Sequence, residues 1–163
     1  MPFRSGSLSH LVLFDVFHHL ECPGLFFEEA ARVLTKEGRV ILFEPYISFS
    51  SRFIYGLFHH EPIAWKDEID LTTDRQVFPE SYYAAQGNAT RLFFHDRQDA
   101  WPEKWTLIEC RAFACFRYLL SGGFSRPCVY PQFCYPSMVR LDRLLSRWPG
   151  LFGGRCLVVL QRT

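Results

Sequence analysis

The hydrophobic and polar positions of the first 46 residues predict a strand, a helix and a second strand. The apolar run at residues 11–14 is bounded by polar residues, which is typical of a strand buried on both faces of a parallel sheet. Pro23 opens a segment with apolar residues at helical spacing, and we expect Gly38 to end that helix. Residues 39–43 predict the next strand, which Pro45 should end because proline cannot donate to a sheet ladder. We therefore predict a right-handed βαβ unit with parallel strands.

Charged residues support the predicted helix. Glu28 and Arg32 are four residues apart on its polar side, so we expect them to pair. Lys36 is expected in the last turn, where a cation complements the helix dipole.

Parallel strands end at the same edge of a sheet, and ligands bind at that edge in open α/β folds. Asp15 and Glu44, which follow the two strand cores, are therefore expected to meet there.

The rest of the chain has less regular patterns. In a helix predicted at residues 138–148, Leu141, Leu144 and Leu145 should face the protein. The residues expected to face outward are Arg140, Asp142, Arg143 and Arg147. The other predicted elements are helices at 51–60 and 80–94, a long strand at 105–120, and a final buried strand at 157–160.

Composition narrows the class of protein. A chain of 163 residues fits one domain. The net charge is +1 and there is no run of lysine or arginine, which argues against nucleic acid as a partner. Aromatic residues make up 17% of the chain, which favours an aromatic-rich core; the alternative is a pocket for an apolar substrate.

No apolar stretch is long enough for a membrane span, and the sequence has no signal peptide pattern. The six cysteines include no Cys-x-x-Cys pair, so zinc and redox motifs are unsupported. We expect free, buried thiols and a cytoplasmic location.

Several short motifs in residues 2–46 occur in a recognisable order. They are Pro-Phe at 2–3, Gly-Ser-Leu at 6–8, the apolar strand with Asp15, His-His-Leu at 18–20, the helix around 29–34, and Lys-Glu-Gly-Arg at 36–39. Together they resemble the fourth-strand region of class I S-adenosylmethionine-dependent methyltransferases of the type 11-like group. The strand, helix and strand at the end of the chain are similar to the closing antiparallel hairpin of that family.

The resemblance implies an α/β fold, a partial Rossmann-like methyltransferase fold that contains strands four to seven of a sheet ordered 3-2-1-4-5-7-6. Residues 1–163 would then be a single, incomplete domain whose fourth strand lies at a sheet edge. No Gly-x-Gly occurs in the chain, whereas the family carries its glycine-rich cofactor loop in the first half of the fold. We therefore expect a truncated form of a methyltransferase that binds S-adenosylmethionine weakly or not at all. Micromolar binding of S-adenosylhomocysteine in a calorimeter would contradict this expectation.

The resemblance also assigns candidate site residues. Phe3, Phe14, Asp15 and Val16 would form one wall of the cofactor pocket. Methyl transfer needs an acceptor aligned with the sulfonium methyl group, and a base helps when the acceptor is a hydroxyl. His19 is our first candidate for that base or for a substrate contact, together with Glu44 as a catalytic residue. The alternative, which is more frequent for such histidines, is that His18 and His19 only begin a loop and cap the next helix.

Two histidine clusters raise other hypotheses. Asp15, His18 and His19 are similar to a grouping that holds a divalent metal in some quinone-pathway O-methyltransferases, but one turn with three such residues is a weak pattern. We expect no metal. The cluster at residues 59–61 is interpreted as a solvated helix end, with a lid over the pocket as the alternative.

We therefore predict methyl transfer to an unidentified small molecule by a full-length parent protein, of which this chain would be a truncated form with little activity of its own. An aromatic-rich site would favour an apolar or aromatic acceptor. The alternative is a non-catalytic methyltransferase-like scaffold that self-associates through its exposed fourth strand, because an unpaired apolar edge favours association. A different α/β enzyme, such as a hydrolase or a dehydrogenase, ranks last, since the chain has no Gly-x-Ser-x-Gly elbow and no dinucleotide fingerprint.

Overall fold

The computed structural model describes residues 1–58, 61–63, 65–66, 69–71, 83–95, 104–122 and 127–163. Its centre is a four-stranded sheet with the order β1-β2-β4-β3. The strands are β1 Leu8–Phe14, β2 Leu34–Pro45, β3 Trp105–Ala114 and β4 Gly153–Arg162. β1 and β2 are parallel, and β4 runs antiparallel to both β2 and β3. The parallel pair, the edge position of β1 within this sheet and the closing antiparallel hairpin confirm the predicted α/β fold, with strands in the order 4-5-7-6 of the family sheet.

The helices lie between and after these strands. They are α1 Pro23–Val33, α2 Phe49–Phe58, α3 Asn88–Thr90, α4 Phe116–Leu119, α5 Tyr135–Leu145 and α6 Pro149–Phe152, with a π-helical turn at Arg91–His95 and 3-10 turns at Phe17–His19 and Gln132–Cys134. Among the described residues, no helix is long and apolar enough to span a membrane.

The two faces of the sheet are covered differently near β1. On one face, Leu42 and Val158 are fully buried against Phe27 of α1 and against Phe17, and these residues belong to the main core. On the other face, Val12 is 67% exposed, so this edge strand contributes apolar surface to the exterior. The alternation along β1 is that of a strand with one buried face, not the two buried faces that the sequence pattern predicted.

The predicted C-terminus of α1 is wrong. The helix ends at Val33, and the chain then pairs with β1, where Leu34 lies opposite Leu8. The register of the pairing then shifts within β2, where Glu37 has a φ of 65°, and the pairing with β1 resumes at Arg39. The bridge to Leu8 is a contact between distant parts of the chain, which no local pattern reveals.

The register shift in β2 gives Gly38 a different role from the one predicted. A Cβ atom at Gly38 would lie 2.8 Å from the carbonyl oxygen of Thr35, so this irregular part of the strand requires glycine even though no helix ends there. Lys36 lies in the same part of β2 and not in the last turn of a helix.

The predicted pair of Glu28 and Arg32 is also wrong. Arg32 instead contacts Glu29, with 2.7 Å between Nη2 and Oε1, and Glu28 reaches Lys104 at 2.9 Å. Both spacings of three and four residues bring side chains together on a helix, and here the closer partner is the one three residues away.

The strand predicted at 105–120 ends at Ala114, and α4 begins two residues later. The carboxylate of Asp142 on α5 accepts hydrogen bonds from the backbone N–H groups of Phe116 (2.7 Å) and Arg117 (3.3 Å). These are donors at the start of α4, so a side chain from another helix caps it and the strand cannot continue.

The predicted orientation of the helix at 138–148 is only partly right: Arg140, Arg143 and Arg147 are exposed as expected, but Asp142, Leu141 and Leu144 are not placed as expected. The helix covers Tyr135–Leu145, and Asp142, which was expected to face outward, is buried. Leu144 is 48% exposed and Leu141 is exposed too. The capping of α4 explains the difference, because it turns the Asp142 side of α5 toward the protein.

The remaining predictions have mixed outcomes. α2 agrees with the helix predicted at 51–60, of which residues 59 and 60 lie outside the described residues. In the segment predicted as a helix at 80–94, residues 83–86 are not helical, and α3 starts after Gly87, whose φ is 96°.

All six cysteines are described, and each is a thiol and not half of a disulfide. Only Cys22, Cys115 and Cys156 are buried, so the prediction of buried thiols holds for half of them.

Candidate functional site at the carboxyl edge of β1 and β2

Glu44, near the end of β2, is a fully buried carboxylate that organises the loop after β1. Its Oε1 accepts hydrogen bonds from the backbone N–H groups of Val16 and Phe17, each at 2.8 Å. Its Oε2 lies 2.6 Å from Nδ1 of His18. An ionised carboxylate only accepts, so His18 donates through Nδ1. Glu44 therefore fixes both the backbone and the ring orientation of the turn that carries the two histidines.

Asp15 reaches the same edge but has a different partner. Its carboxylate forms a bidentate ion pair with the guanidinium group of Arg155 on β4, with 2.9 Å between Oδ2 and Nη2. Asp15 has a φ of 55°, a left-handed conformation that aspartate tolerates better than most residues, and its N–H donates to the carbonyl oxygen of Phe43. The ion pair and this backbone bond hold the residue in that conformation.

Arg155 is a buried cation among aromatic rings. Its guanidinium carbon lies 4.6 Å from the centroid of the Tyr118 ring and 5.5 Å from that of Phe43. Burial by itself lowers the pKa of Arg155, but the hydrogen bond that it donates to Asp15 and the neighbouring side chains outweigh burial and raise the pKa above its usual value. Arg155 is therefore charged, and its contact with Asp15 joins the end of β1 to β4 across β2.

His18, His19 and Glu61 form a compact cluster beside Glu44. The distance from His18 Nε2 to Glu61 Oε2 is 3.4 Å, and the distance from His19 Nε2 to Glu61 Oε1 is 3.6 Å. His19 Nδ1 lies 3.1 Å from the carbonyl oxygen of Tyr83 and donates to it, because a carbonyl only accepts. His18 is buried, the Glu61 side chain is 16% exposed and the His19 side chain is 32% exposed. His19 is thus the member of the cluster that is most accessible from outside.

The segment at 83–86 holds the cluster together. The N–H of Ala85 donates to the carbonyl oxygen of His18 (2.9 Å), and the N–H of Gln86 donates to the carbonyl oxygen of Pro62 (3.1 Å). The side-chain amide of Gln86 also donates to Glu61 Oε2 at 2.5 Å. These bonds bring two segments, residues 61–62 and residues 83–86, to the same edge of the sheet as His18, although both lie more than 40 residues after it in the chain.

The predicted site residues therefore fall into three groups. Asp15, His19 and Glu44 meet at the carboxyl edge as expected, although Asp15 and Glu44 have separate partners. Phe14 and Val16 are exposed at the same end of β1. Phe3 lies near the opposite end of the strand, where its carbonyl oxygen accepts a hydrogen bond from Arg32 in the last turn of α1.

These positions determine how well the predicted wall fits S-adenosylmethionine. Phe14 stacks on Phe43 with 4.8 Å between ring centroids and is 51% exposed, which suits contact with an apolar part of a ligand. The one acidic group of the wall, Asp15, is engaged by a buried arginine. The wall therefore fits an apolar part of the cofactor and not its ribose hydroxyls or its amino-acid group.

Sequence reasoning missed three residues of the site: Glu61, Gln86 and Arg155. Glu61 is part of the cluster at 59–61 that was interpreted as a solvated helix end, yet its side chain is largely buried against the two histidines. Residues 59 and 60 lie outside the described residues, and the structure does not test the lid. Two histidines precede Glu61 in the sequence, and this cluster was a usable signal that Glu61 belongs to a site. No motif in the sequence around Gln86 or Arg155 indicates that these residues belong to it.

Comparison with known proteins gives a match over one part of the chain. Residues 1–42 match the family model described as a methyltransferase domain. No curated protein matches the chain.

Among solved structures, similar ones are methyltransferases that share little sequence. A putative methyltransferase in complex with the Trm112 methyltransferase activator, from Haloferax volcanii, is 18% identical, with 99% of this chain and 56% of that chain covered and a TM-score of 0.43. A putative sarcosine dimethylglycine methyltransferase from Galdieria sulphuraria is 14% identical, with 99% and 55% covered and a TM-score of 0.42. A SAM dependent methyltransferase from Archaeoglobus fulgidus is 13% identical, with 99% and 62% covered and a TM-score of 0.43.

The chain therefore spans less than two thirds of the length of these structures. The sequence match covers the same β1–α1–β2 unit that carries the predicted motifs, and the sheet has the strand order that the family predicts. The predicted resemblance to class I S-adenosylmethionine-dependent methyltransferases is thereby confirmed, with residues 1–42 matching the methyltransferase domain family.

Proposed function

We propose that this protein takes part in S-adenosylmethionine-dependent methyl transfer to a small-molecule acceptor at the carboxyl edge of β1 and β2. The observation that supports it most is the family match over residues 1–42, which ends in β2 within the unit that builds this edge. Ligands in open α/β sheets bind beside the carboxyl ends of the strands, and His18, His19 and Glu44 cluster there.

The cofactor, when bound, supplies an activated methyl group on a sulfonium centre. Phe14 and Val16 would contribute an apolar surface against it and exclude water from one side. Phe3 remains a prediction as a cofactor contact, and its place near the other end of β1 gives it no support. Exposed aromatic and aliphatic groups at this edge favour an apolar or aromatic acceptor.

His19 is the proposed catalytic base. Its Nδ1–H donates to the Tyr83 carbonyl, so the neutral ring carries its lone pair on Nε2 and can accept the proton of an acceptor hydroxyl there. Glu44 is proposed as a positioning residue and no longer as a group that touches substrate. It is fully buried and is occupied by two backbone N–H groups and His18.

An assay of S-adenosylhomocysteine formation tests this function. Because the chain lacks a Gly-x-Gly loop and should bind the cofactor weakly, it is incubated with S-adenosylmethionine at millimolar concentration and with a panel of small phenols and aliphatic alcohols. The product is measured by mass spectrometry. We expect acceptor-dependent product, and we expect His19→Gln to lower the rate by about 10²-fold or more, the usual contribution of a general base. His10→Gln is the matched control, because His10 is an exposed histidine on β1 away from the cluster.

The proposal fails if no acceptor stimulates product formation, or if His19→Gln and His10→Gln have the same rate. The alternative of a non-catalytic scaffold that pairs through β1 has no support from the comparisons.

A further inference from the structure

We propose that His18, His19 and Glu61 hold a divalent first-row transition-metal ion. The three side chains offer one ligand atom each, and these atoms lie within 4.8 Å of one another. This site differs from the grouping considered from the sequence, because Asp15 is paired with Arg155 and Glu61 takes its place. The inference concerns binding of an ion and does not depend on the proposed methyl transfer.

The tautomers of the two histidines carry the first step of the argument. His18 donates from Nδ1 to the Glu44 carboxylate, and His19 donates from Nδ1 to the Tyr83 carbonyl. Each neutral ring therefore presents a lone pair on Nε2. Both Nε2 atoms point at the carboxylate of Glu61, at 3.4 and 3.6 Å, and a carboxylate also only accepts. A cation between these three electron-rich groups would remove the repulsion between them.

The distances suit an ion better than direct contact. Bonds from zinc to histidine nitrogen and carboxylate oxygen are about 2.0–2.2 Å long, which separates two ligands of a tetrahedral ion by roughly 3.3–3.6 Å. The separations of 3.4 and 3.6 Å, which involve different oxygens of Glu61, fall in that range. The three ligand atoms together lie within 4.8 Å of one another, so a small closing of the cluster brings all three to an ion. Both separations to Glu61 exceed the roughly 2.7–2.9 Å of a charge-assisted N–H···O bond, so protonated histidines would explain them less well.

The surroundings of the cluster are those of a metal site. Ligating histidines nearly always donate their other ring N–H to a carboxylate or a backbone carbonyl, which fixes the ring and its tautomer. Here His18 has the carboxylate of Glu44, and His19 has the carbonyl of Tyr83. The third ligand is oriented too, because the Gln86 amide donates to Glu61 Oε2.

The ligand set indicates the class of ion. Two imidazoles and one carboxylate suit zinc and its neighbours in the first transition row, whereas Mg²⁺ and Ca²⁺ prefer oxygen ligands throughout. The three ligands found among the described residues leave a fourth position for water or another small ligand, as in sites that are not purely structural. The partial exposure of His19 gives that position access from outside. Metal binding and action as a base use the same lone pair on His19, so one molecule performs only one of these roles at a time.

Zinc titration of the chelator-treated full chain tests the proposal. We expect saturable one-to-one binding in a calorimeter and, with Co²⁺ as a second probe, visible absorption bands of a low-symmetry site. Glu61→Gln and His19→Gln should each weaken zinc binding by about tenfold or more. His10→Gln should leave it unchanged, since that exposed histidine is outside the cluster. Circular dichroism and thermal unfolding of each variant establish that it is folded.

Thiols also bind zinc, and Cys128 is exposed, so the variants decide where the ion binds. The proposal is overturned if the folded chain shows no saturable zinc binding. It is equally overturned if Glu61→Gln and His19→Gln bind zinc as tightly as His10→Gln does.

Discussion

At the residue scale, Glu44 shows how one buried carboxylate determines the geometry of a site. Burial of an ionised group is unfavourable unless hydrogen bonds compensate for it, and Glu44 has two backbone N–H donors and one imidazole donor. The sequence could predict that Glu44 lies at the carboxyl edge, because it follows an apolar run. The sequence could not predict its role, because that role depends on how the backbone of residues 16 and 17 turns back toward it.

Replacement of Glu44 by glutamine should destabilise the protein. The amide is similar in size, but its NH₂ group must face either the backbone N–H donors, which cannot accept, or Nδ1 of His18. That nitrogen accepts only if the ring moves its proton to Nε2. We expect the free energy of unfolding in urea to fall by about 1.5–3 kcal/mol, the range for hydrogen bonds to charged groups. Glu28→Gln, which removes an exposed carboxylate paired with Lys104, should change it by less than about 0.5 kcal/mol. Equal effects of the two substitutions would contradict this role.

Asp15 offers a second test at this scale. The substitution Asp15→Asn keeps the left-handed backbone accessible but leaves the buried Arg155 without its counter-charge. Because Asp15 is partly exposed, we expect the free energy of unfolding to fall by about 3 kcal/mol, the lower end for breaking a buried ion pair. Glu109→Gln, which breaks an exposed ion pair with Arg111, is the control. It should lower the free energy of unfolding by less than about 1 kcal/mol. If Asp15→Asn lowers the free energy of unfolding by no more than this control does, the ion pair between Asp15 and Arg155 does not stabilise the fold.

At the element scale, strand positions were predictable and element ends were not. Short apolar runs located β1, β2 and β4, since burial in the sheet demands such runs. The end of α1 depends on the bridge between Leu8 and Leu34, and the end of β3 depends on Asp142 from α5. Contacts between distant segments determine each of these ends, so a local pattern could not reveal them.

The contact between α4 and α5 makes a prediction about pH. Burial raises the pKa of Asp142, although the hydrogen bonds from Phe116 and Arg117 oppose the shift. The folded state therefore binds the proton more tightly than the unfolded state does. Stability from this group is present below the unfolded pKa and is lost as pH rises through the folded pKa.

Asp142→Asn removes this titration while keeping an oxygen that can cap α4. We expect the unfolding free energy of the wild type minus that of Asp142→Asn to decrease as pH rises from below the ordinary aspartate pKa through the raised value, and then to level off. Urea unfolding of both proteins across this acidic range measures the difference. A difference that increases with pH would show that the pKa of Asp142 is lowered in the folded state.

At the scale of the whole molecule, the sheet order β1-β2-β4-β3 brings three separate segments to one edge. The turn after β1 provides His18 and His19, the end of β2 provides Glu44, and Glu61 arrives with the segment that Gln86 holds. The motifs in residues 2–46 predicted the first two contributions because they belong to one βαβ unit. The third depends on pairing between residues 61–63 and 83–86, which the sequence does not mark.

The central claim is that this edge carries methyl-transfer chemistry with His19 as the base. The most direct measurement uses S-adenosylmethionine with a trideuterated methyl group and identifies the labelled acceptor by mass spectrometry. The account predicts an acceptor that carries the trideuteromethyl group with the wild type and His10→Gln, and a rate lower by about 10²-fold or more with His19→Gln. Label transfer by His19→Gln at the wild-type rate, or no labelled acceptor from the wild type, would contradict it.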